Sequence, residues 1–192
     1  MATHRMHVLG FRRKRSGRTN YRQRMKLLTS GKQRIVVRKS NNHILIQMIQ
    51  YQPQGDRITA TAHSAELKKI GWKLHTGNLP AAYLTGLLFG LRAKKHKEGV
   101  LDIGLYSSKK GARIYAALKG CVDAGLSIPD GELVLPSQDR LKGEHIKGFL
   151  STCKTPHQFS SYRKSQLKPE DIPLHVEELK NKILKMNHEK KD

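Results

Sequence analysis

Three successive segments of the chain alternate apolar and polar residues with a period of two, which predicts β-strands. They are Arg34–Lys39, His43–Gln50 and Arg57–His63. The connectors at 40–42 and 52–56 are short and rich in Asn, Pro, Gly and Asp, as turns are, so the strands are expected to form an antiparallel meander. The apolar residues expected to share a face of each strand are Ile35 and Val37, then Ile44, Ile46 and Met48, then Ile58, Ala60 and Ala62.

Beyond the meander the apolar period becomes helical. Ser64 is expected to cap a short helix that ends at Gly71, and the loop 76–78 leads into a long helix that is apolar on most sides. Val100–Leu105 is predicted to be a fourth strand. The helix after it carries one apolar stripe, formed by Ile114, Ala117, Leu118, Cys121 and Ala124. Strands and helices in this order predict an α/β core with a mixed sheet.

The long apolar helix contains the pair Gly86 and Gly90. Its apolar segment, Leu79–Ala93, is too short for a bilayer span, which needs about 20 residues. Dimerisation of a membrane helix through these glycines is therefore excluded. We expect the pair to allow close approach of the helix backbone to the sheet.

The two ends of the chain differ from its middle. Residues 1–18 show no apolar periodicity and are predicted to form an extended arm, followed by an α/β core at 19–150 and a C-terminal extension at 151–192. The core begins with a helix that Thr19 or Asn20 caps and that runs to about Thr29 before Gly31, with one apolar stripe of Tyr21, Met25 and Leu28.

The C-terminal extension ends in a predicted amphipathic helix that Asp171 opens. Its apolar stripe consists of Val176, Leu179, Ile183 and Met186. The pattern leaves open whether this stripe folds back on the core or meets another protein.

Positive charge is concentrated at the N-terminal end. The chain has a formal net charge of +22, and its first 55 residues hold 13 Lys and Arg with no Asp or Glu. Such a segment repels itself and implies a polyanionic partner. A membrane surface fits poorly because no bulky apolar face adjoins the bases. No apolar signal region follows them, and two cysteines do not make a disulfide framework, so the chain is expected in the reducing cytoplasm.

Catalytic and cofactor motifs are scarce. The sequence has no phosphate-binding glycine loop, no dinucleotide fingerprint and no zinc-ligand spacing, so neither a cofactor nor a metal is predicted. Cys121 lies on an apolar stripe and is expected in the core, and Cys153 is interpreted as an ordinary thiol. One enzymatic alternative remains, a nuclease in which Asp102, Asp123 and Glu144 converge on two divalent ions.

The basic charge is therefore assigned to nucleic acid. Helix-turn-helix, zinc-finger and basic-zipper patterns are missing, whereas a basic arm on an α/β core suits folded RNA. Lysines before a helix N-terminus also suit a phosphate. The residues expected to contact RNA are Arg12, Arg13, Lys14, Arg15, Arg18, Tyr21, Arg22, Arg24, Arg38, Lys39, Asn41, His43, Lys109 and Lys110.

Several motifs in order resemble one protein family. They are the stretches 19–24, 30–32, 38–43, 76–80, 83–88, 101–105, 123–126 and 143–146. Together they resemble the 5S-rRNA-binding ribosomal proteins of the large subunit, the eighteenth in the universal naming. The stretch from Thr76 to Leu88 is similar to the archaeal and eukaryotic branch, and the chain length favours an archaeal form. Asn20 and Gln33 stand where the family is expected to have Asp and Pro.

The resemblance implies a non-catalytic protein that holds 5S rRNA against the large-subunit rRNA in the central protuberance of the cytoplasmic ribosome. Its expected partners are these two RNAs and neighbouring large-subunit proteins. It also implies a mixed sheet packed with helices, and it weakens the nuclease alternative because Asp102 and Asp123 lie in motifs that are not catalytic in the family.

Overall fold

The computed structural model of the protein describes residues 9–96, 98–129, 131–152, 162 and 168–186. Its four-stranded sheet has the order β3-β2-β1-β4. Strand β1 pairs antiparallel with β2, which pairs antiparallel with β3, and β4 runs parallel to β1. The predicted mixed sheet is thus confirmed. The strands are β1 Arg34–Lys39, β2 Ile44–Gln50, β3 Arg57–His63 and β4 Val100–Asp102.

Helices pack on this sheet and continue to the C-terminal end. Short 3₁₀ turns lie at Ser64–Glu66, Glu132–Val134 and Pro169–Asp171. The helices are α1 Arg12–Arg15, α2 Tyr21–Thr29, α3 Leu67–Ile70, α4 Leu79–Arg92, α5 Arg113–Asp123, α6 Gln138–Lys142, α7 Glu144–Thr152 and α8 Ile172–Lys185.

Helix α4 is the centre of the core. Its side chains from Leu79 to Gly90 are all buried, as the apolar pattern on most sides of the helix predicts. The helix begins where the side chain of Asn78 accepts a hydrogen bond from the backbone N–H of Ala81 at 2.8 Å, and Pro80 occupies the first turn. The sheet covers one side of α4, and α5 and α8 cover others.

The glycines of α4 face a helix and not the sheet. A Cβ atom at Gly86 would lie 2.0 Å from the carbonyl oxygen of Ala117, and one at Gly120 would lie 2.1 Å from the carbonyl oxygen of Tyr83. The close approach predicted for the glycine pair therefore exists, but its partner is α5. Gly90, one turn after Gly86, lies against Cys121 and Ala124, which follow Ala117, and Arg113 at the start of α5 contacts Gly77 just before α4, so α4 and α5 run in the same direction.

Strand β4 is shorter than predicted. The segment Val100–Leu105 was expected to be extended, but pairing with β1 ends at Asp102. There the chain turns, because the Asp102 carboxylate accepts a hydrogen bond from the N–H of Gly104 at 2.8 Å and Gly104 takes a φ of 62°.

Strand β3 departs from strict alternation. Met48 pairs with Ala60, but the next residue, Ile49, pairs with Ile58, which is an irregularity of the bulge type. Ile58 consequently leaves the face that Ala60 and Ala62 share, and it is 51% exposed. The prediction that Ile58 lies on the core face is wrong. A strict alternation of apolar and polar residues does not reveal a bulge that shifts the strand pairing by one residue.

The short helix after β3 is capped differently from the prediction. His63, and not Ser64, is the N-cap, since its ring accepts a hydrogen bond from the N–H of Ala65 while Glu66 accepts one from the N–H of His63. The buried Ser64 hydroxyl instead accepts a hydrogen bond from the N–H of Ile44 at 3.0 Å. The predicted C-terminal Gly71 is left-handed, with a φ of 111°.

The N-terminal region is less extended and less buried than the pattern indicates. Where an extended arm was expected over 1–18, Arg12–Arg15 form one helical turn, and residues 1–8 lie outside the described residues. Of the two predicted caps of helix α2, the structure has Asn20, whose side chain accepts a hydrogen bond from the N–H of Gln23. The predicted apolar stripe of this helix is wrong in part, since no residue of α2 is buried and Met25 is 66% exposed.

Helix α8 packs back on the core, which answers the question that the sequence left open. Its buried residues include three members of the predicted stripe, and the His175 ring stacks on Trp72 with 5.5 Å between ring centroids. The Lys180 ammonium lies 5.6 Å from the ring centroid of Tyr83 on α4. The fourth predicted member, Met186, follows the end of the helix and is 44% exposed.

A buried arginine joins three parts of the sheet. Arg34 on β1 is 3% exposed, and its guanidinium donates to Asp102 on β4 at 2.9 Å and to Asp56 before β3 at 2.7 Å. Asp56 also accepts from Arg24 of α2 at 2.8 Å. The buried charge is therefore paired twice, as burial of an ion requires, and the pairing attaches α2 to the sheet.

Substitution of Gly120 by Ala tests the helix contact. The added Cβ meets backbone atoms of α4 that belong to a buried helix, so we expect the free energy of unfolding to fall by about 2 kcal/mol or more. Urea denaturation followed by circular dichroism measures it. Gly148→Ala is the matched control at an exposed position of α7, where no atom of the described residues lies within 4 Å of the added Cβ, and a gain of roughly 0.5 kcal/mol is expected. Equal effects of the two changes would contradict the close packing.

Substitution of Asp102 by Asn tests the buried pairing. The amide keeps the shape of the side chain but leaves Arg34 short of one buried negative charge, so the free energy of unfolding should fall by roughly 3 kcal/mol. The control is Glu177→Gln, which removes a carboxylate from an exposed pair with Lys142 and should change stability little. Thermal denaturation of both variants measures the difference, and a neutral Asp102→Asn would contradict the role of the pairing.

Candidate nucleic-acid interface

The N-terminal helices and the ends of β1 and β4 enclose a cavity of about 740 Å³. We name it the arm cavity. Two features make it suited to RNA: several guanidinium groups line it, and two phenol rings stand among them. The lining residues include Arg13, Arg18, Tyr21, Arg24, Arg38 and Tyr106, together with Asp102. The fold thus brings together five of the residues predicted from sequence to contact RNA.

The first predicted group, Arg12–Arg15, projects from the single turn of α1. All four residues are exposed. One of them is held in place, because the Arg13 guanidinium donates to the Thr19 hydroxyl at 2.9 Å. Phe11, just before the turn, places its ring 5.0 Å from that of Tyr21 at an interplanar angle of 40°. This aromatic contact connects α1 to α2.

The two arginines of α2 differ in their surroundings. Arg22 is exposed, whereas Arg24 pairs with Asp56. That carboxylate is shared with Arg34. Because Arg34 also pairs with Asp102, two carboxylates balance these two guanidinium groups. Of the two arginines of α2, it is therefore Arg22 whose charge these carboxylates leave unpaired.

The end of β1 is locked against the turn after β4. The Arg38 guanidinium lies over Gly104, 2.8 Å from where a Cβ atom would stand. Tyr106 donates its hydroxyl hydrogen to the carbonyl oxygen of Lys39 at 2.7 Å, and the Lys39 ammonium lies 5.2 Å from the Tyr106 ring centroid. Arg38 and Lys39 are therefore held at the rim of the arm cavity by side chains outside β1.

Two further residues predicted to contact RNA, Asn41 and His43, lie in the turn before β2, at a second concavity. It has a volume of about 350 Å³ and is formed by the turn before β2, helix α3 and the loop before α4. We name it the histidine cleft, and its lining is Asn42, His43, Lys68, Trp72, Lys73, Leu74, His75 and Thr76. Asn41 is exposed on the same turn.

His43 is fixed within this cleft. Its Nδ1 atom lies 3.1 Å from the Thr76 hydroxyl, and its ring centroid lies 4.9 Å from that of His63. Burial lowers the pKa of His43, and the neighbouring His63, Lys68 and His75 lower it further by repulsion. Among the described residues that act on the ring, no carboxylate offsets this repulsion. The cleft is therefore an electropositive environment.

Sequence reasoning missed Arg113, the first residue of α5. Its guanidinium donates to the carbonyl oxygen of Gly77 at 2.7 Å and to that of Ser40 at 3.1 Å. It thereby joins the turn before β2 to the loop before α4. Its place directly after the basic loop was a usable signal. Lys68, Lys73 and His75 were missed as well, and only the fold brings them beside His43.

Lys109 and Lys110 are exposed in the loop before α5. The loop is anchored where the N–H of Gly111 donates to the carbonyl oxygen of Val134 at 3.0 Å. The N-cap of α5 is Ala112, whose side chain has no polar group to cap the first turn. A phosphate contact at this helix terminus stays a prediction.

The three acids of the nuclease alternative have other partners. Asp102 is buried against Arg34, Asp123 accepts from the Tyr83 hydroxyl at 2.9 Å and pairs with Lys119, and Glu144 pairs with Lys147. Across the described residues no three His, Cys, Asp or Glu side chains are placed to hold a metal ion. This geometry does not support two-metal cleavage.

Two further sequence interpretations concern cysteine and the membrane. Cys121 is fully buried, which confirms its place in the core and raises the pKa of its thiol. Cys153 lies outside the described residues. In the described part of the chain, no helix is both long enough and apolar enough to cross a bilayer.

Comparison with known proteins identifies the family. The family model described as ribosomal large subunit proteins 60S L5 and 50S L18 matches residues 5–99 and 92–131. The large ribosomal subunit protein uL18 of Methanococcus maripaludis is 51% identical over 183 residues, which cover 92% of this chain and 95% of the relative. Both findings confirm the resemblance seen in the sequence, and the second supports the archaeal branch. The chain therefore belongs to the family of large-subunit ribosomal proteins described as 60S L5 and 50S L18, and it is a component of the cytoplasmic ribosome.

Proposed function

We propose that this chain is a structural, non-catalytic protein that binds 5S rRNA and attaches it to the large-subunit rRNA in the central protuberance. The observation that carries the proposal is the arm cavity. There α1, the linker before α2, α2 itself and the end of β1 each contribute an arginine to one concave surface, in the order Arg13, Arg18, Arg24 and Arg38. Such a surface fits the phosphates of a folded RNA.

The charge of this region is only partly neutralised within the protein. Among the described residues, the acids that pair with the basic segment up to residue 55 are Asp56, Asp102 and Glu98, and their partners are Arg24, Arg34 and Lys32. The charges of α1 and of Arg22 are exposed and take no part in these pairs. They are the groups that an RNA would neutralise.

The mechanism we propose is assembly by charge neutralisation and shape. Arg12–Arg15, Arg18 and Arg22 contact phosphates, and each contact releases counterions. The arm cavity supplies fixed guanidinium groups and the Tyr21 ring. Lys39 at the end of β1, and Asn41 and His43 in the turn before β2, make further contacts with the RNA. Lys109 and Lys110 add a phosphate contact at the N-terminus of α5.

Neighbouring large-subunit proteins complete the set of proposed partners. Most of the apolar stripe of α8 is used on the core, so it is not free for another protein. Leu174 on the same helix is 60% exposed and Met186 is 44% exposed. These two apolar side chains, one on α8 and one directly after it, are the positions that we propose for protein contacts.

Isolation of the protein from its native cells at low salt tests the choice of RNA. The protein is captured through an affinity tag, and the RNA that accompanies it is sequenced. We expect 5S rRNA in near-stoichiometric amount, because the proposed surface recognises one folded RNA. A mixed RNA population of all sizes would contradict the proposal and indicate general RNA binding.

Replacement of Arg12, Arg13, Lys14 and Arg15 by Ala tests the contribution of α1. Binding to 5S rRNA should weaken, and the slope of log K against log salt should become less negative by about 3, at 0.7 to 0.9 for each lost phosphate contact. Filter binding over a salt series measures it. A control of equal charge replaces four exposed lysines elsewhere, Lys94, Lys95, Lys182 and Lys185. The same slope in the α1 variant and the wild type would remove α1 from the mechanism.

A further inference from the structure

We infer that the histidine cleft binds a phosphate of the RNA backbone through Lys68, Lys73 and His75. This contact rests on the proposed RNA-binding function and extends it to a second site, separate from the arm cavity. The two concavities share no lining residue. Lys68, Lys73 and His75 do not lie in a run of consecutive basic residues as long as the one in α1.

The lining of the cleft has the composition of an anion site. The described residues that line it supply two lysines, two histidines, an indole, an amide, a hydroxyl and one leucine, with no carboxylate among them. Both lysines, Lys68 on α3 and Lys73 after it, are exposed. Neither forms an ion pair among the described residues. Their ammonium groups are therefore available to an external anion.

His75 presents an N–H group to the cleft. Its Nδ1 atom accepts a hydrogen bond from the N–H of Gly77 at 3.1 Å, so the neutral ring carries its hydrogen on Nε2. That Nε2 lies 3.4 Å from the side-chain oxygen of Asn42, an exposed residue. This contact is long for a hydrogen bond. An incoming phosphate oxygen is a better acceptor for the same N–H because it is charged.

His43 adds a group that responds to the anion. The Thr76 hydroxyl donates to the carbonyl oxygen of Asn42 at 2.7 Å, so it is free to accept from Nδ1–H of His43 at 3.1 Å. The Nε2 atom of neutral His43 then has no hydrogen. Protonation supplies one, and it becomes favourable when a phosphate offsets the surrounding positive charge.

The titratable groups that face His43 come from each element around it. Helix α3 contributes Lys68, the loop before α4 contributes His75, and the end of β3 contributes His63. Glu66 is the nearest acid in sequence to His63, but its carboxylate is paired with Arg92. A bound anion would therefore reduce the electrostatic repulsion that disfavours protonation of His43.

The cleft is already formed in the protein alone. Arg113 holds the carbonyl groups of Ser40 and Gly77 together, and the Trp72 indole donates to the carbonyl oxygen of His75 at 3.3 Å. A Cβ atom at Gly77 would lie 2.4 Å from the carbonyl oxygen of Asn41, so the two loops touch through their backbones. A phosphate binds without prior ordering of these loops, which favours affinity.

Titration with inorganic phosphate tests the cleft without RNA. The ring resonances of His43 are followed by NMR at constant ionic strength and several pH values. Phosphate should raise the pKa of His43 in the wild type, since an anion stabilises the imidazolium. The rise should disappear in Lys68→Gln/Lys73→Gln and persist in the matched control Lys94→Gln/Lys95→Gln, whose lysines are also exposed.

Binding of 5S rRNA to the same variants tests the RNA contact. The cleft variant should bind about tenfold more weakly near physiological salt, with a salt slope less negative by about 1 to 2, and the control should bind like the wild type. Equal losses in both variants, or unchanged RNA binding by the cleft variant, would overturn the inference. If His43 responds to inorganic phosphate but the cleft variant binds RNA like the wild type, the cleft is a site for free anions only.

The outcomes also separate this inference from the proposed function. If the wild type binds 5S rRNA and the α1 variant weakens it while the cleft variant does not, the cleft inference fails and the proposed function stands. If the wild type does not bind 5S rRNA, the proposed function fails, and the phosphate titration still decides whether the cleft is an anion site.

Discussion

The contact between α4 and α5 sets the geometry of the rest of the structure. Glycines at 86, 90 and 120 bring the two helix backbones together more closely than any side chain allows. Helix α4 can then lie fully buried between the sheet and α5, and α8 closes it from another side. Because the two helices run parallel, their N-termini lie at the same end of the core.

This arrangement places the polar chemistry at the ends of the helices. Arg113 begins α5 beside the loop that precedes α4, and from there it reaches both Gly77 and Ser40. The turn before β2 and the loop before α4 are consequently held as one unit, with His43 and His75 on it. The glycine contact in the core thus positions Arg113 against two loops that are distant from it in sequence, and so helps to shape the surface that these loops form.

The sequence was sufficient for elements whose pattern is local. The bounds of strands β1 and β3, the start of α2 after Asn20 and the end of the short helix at Gly71 follow from residue types and spacing alone. It was insufficient wherever a partner decides the outcome. The slip that exposes Ile58 depends on pairing with β2. The glycines of α4 signalled a close approach, but the choice between sheet and helix depends on Ala117 and Tyr83, which a periodic pattern does not show.

The same limit applies to the basic residues, which look alike in sequence but divide into two groups in the structure. Arg34 and Arg24 share Asp56, and Arg34 also holds Asp102, so their charge stabilises the fold. The charges of α1 and Arg22 have no such role and remain for an external anion. The acids that make this division lie 22 and 68 residues from Arg34. Charge density along the chain therefore indicates a polyanionic partner, whereas the fold decides which cations are available to it.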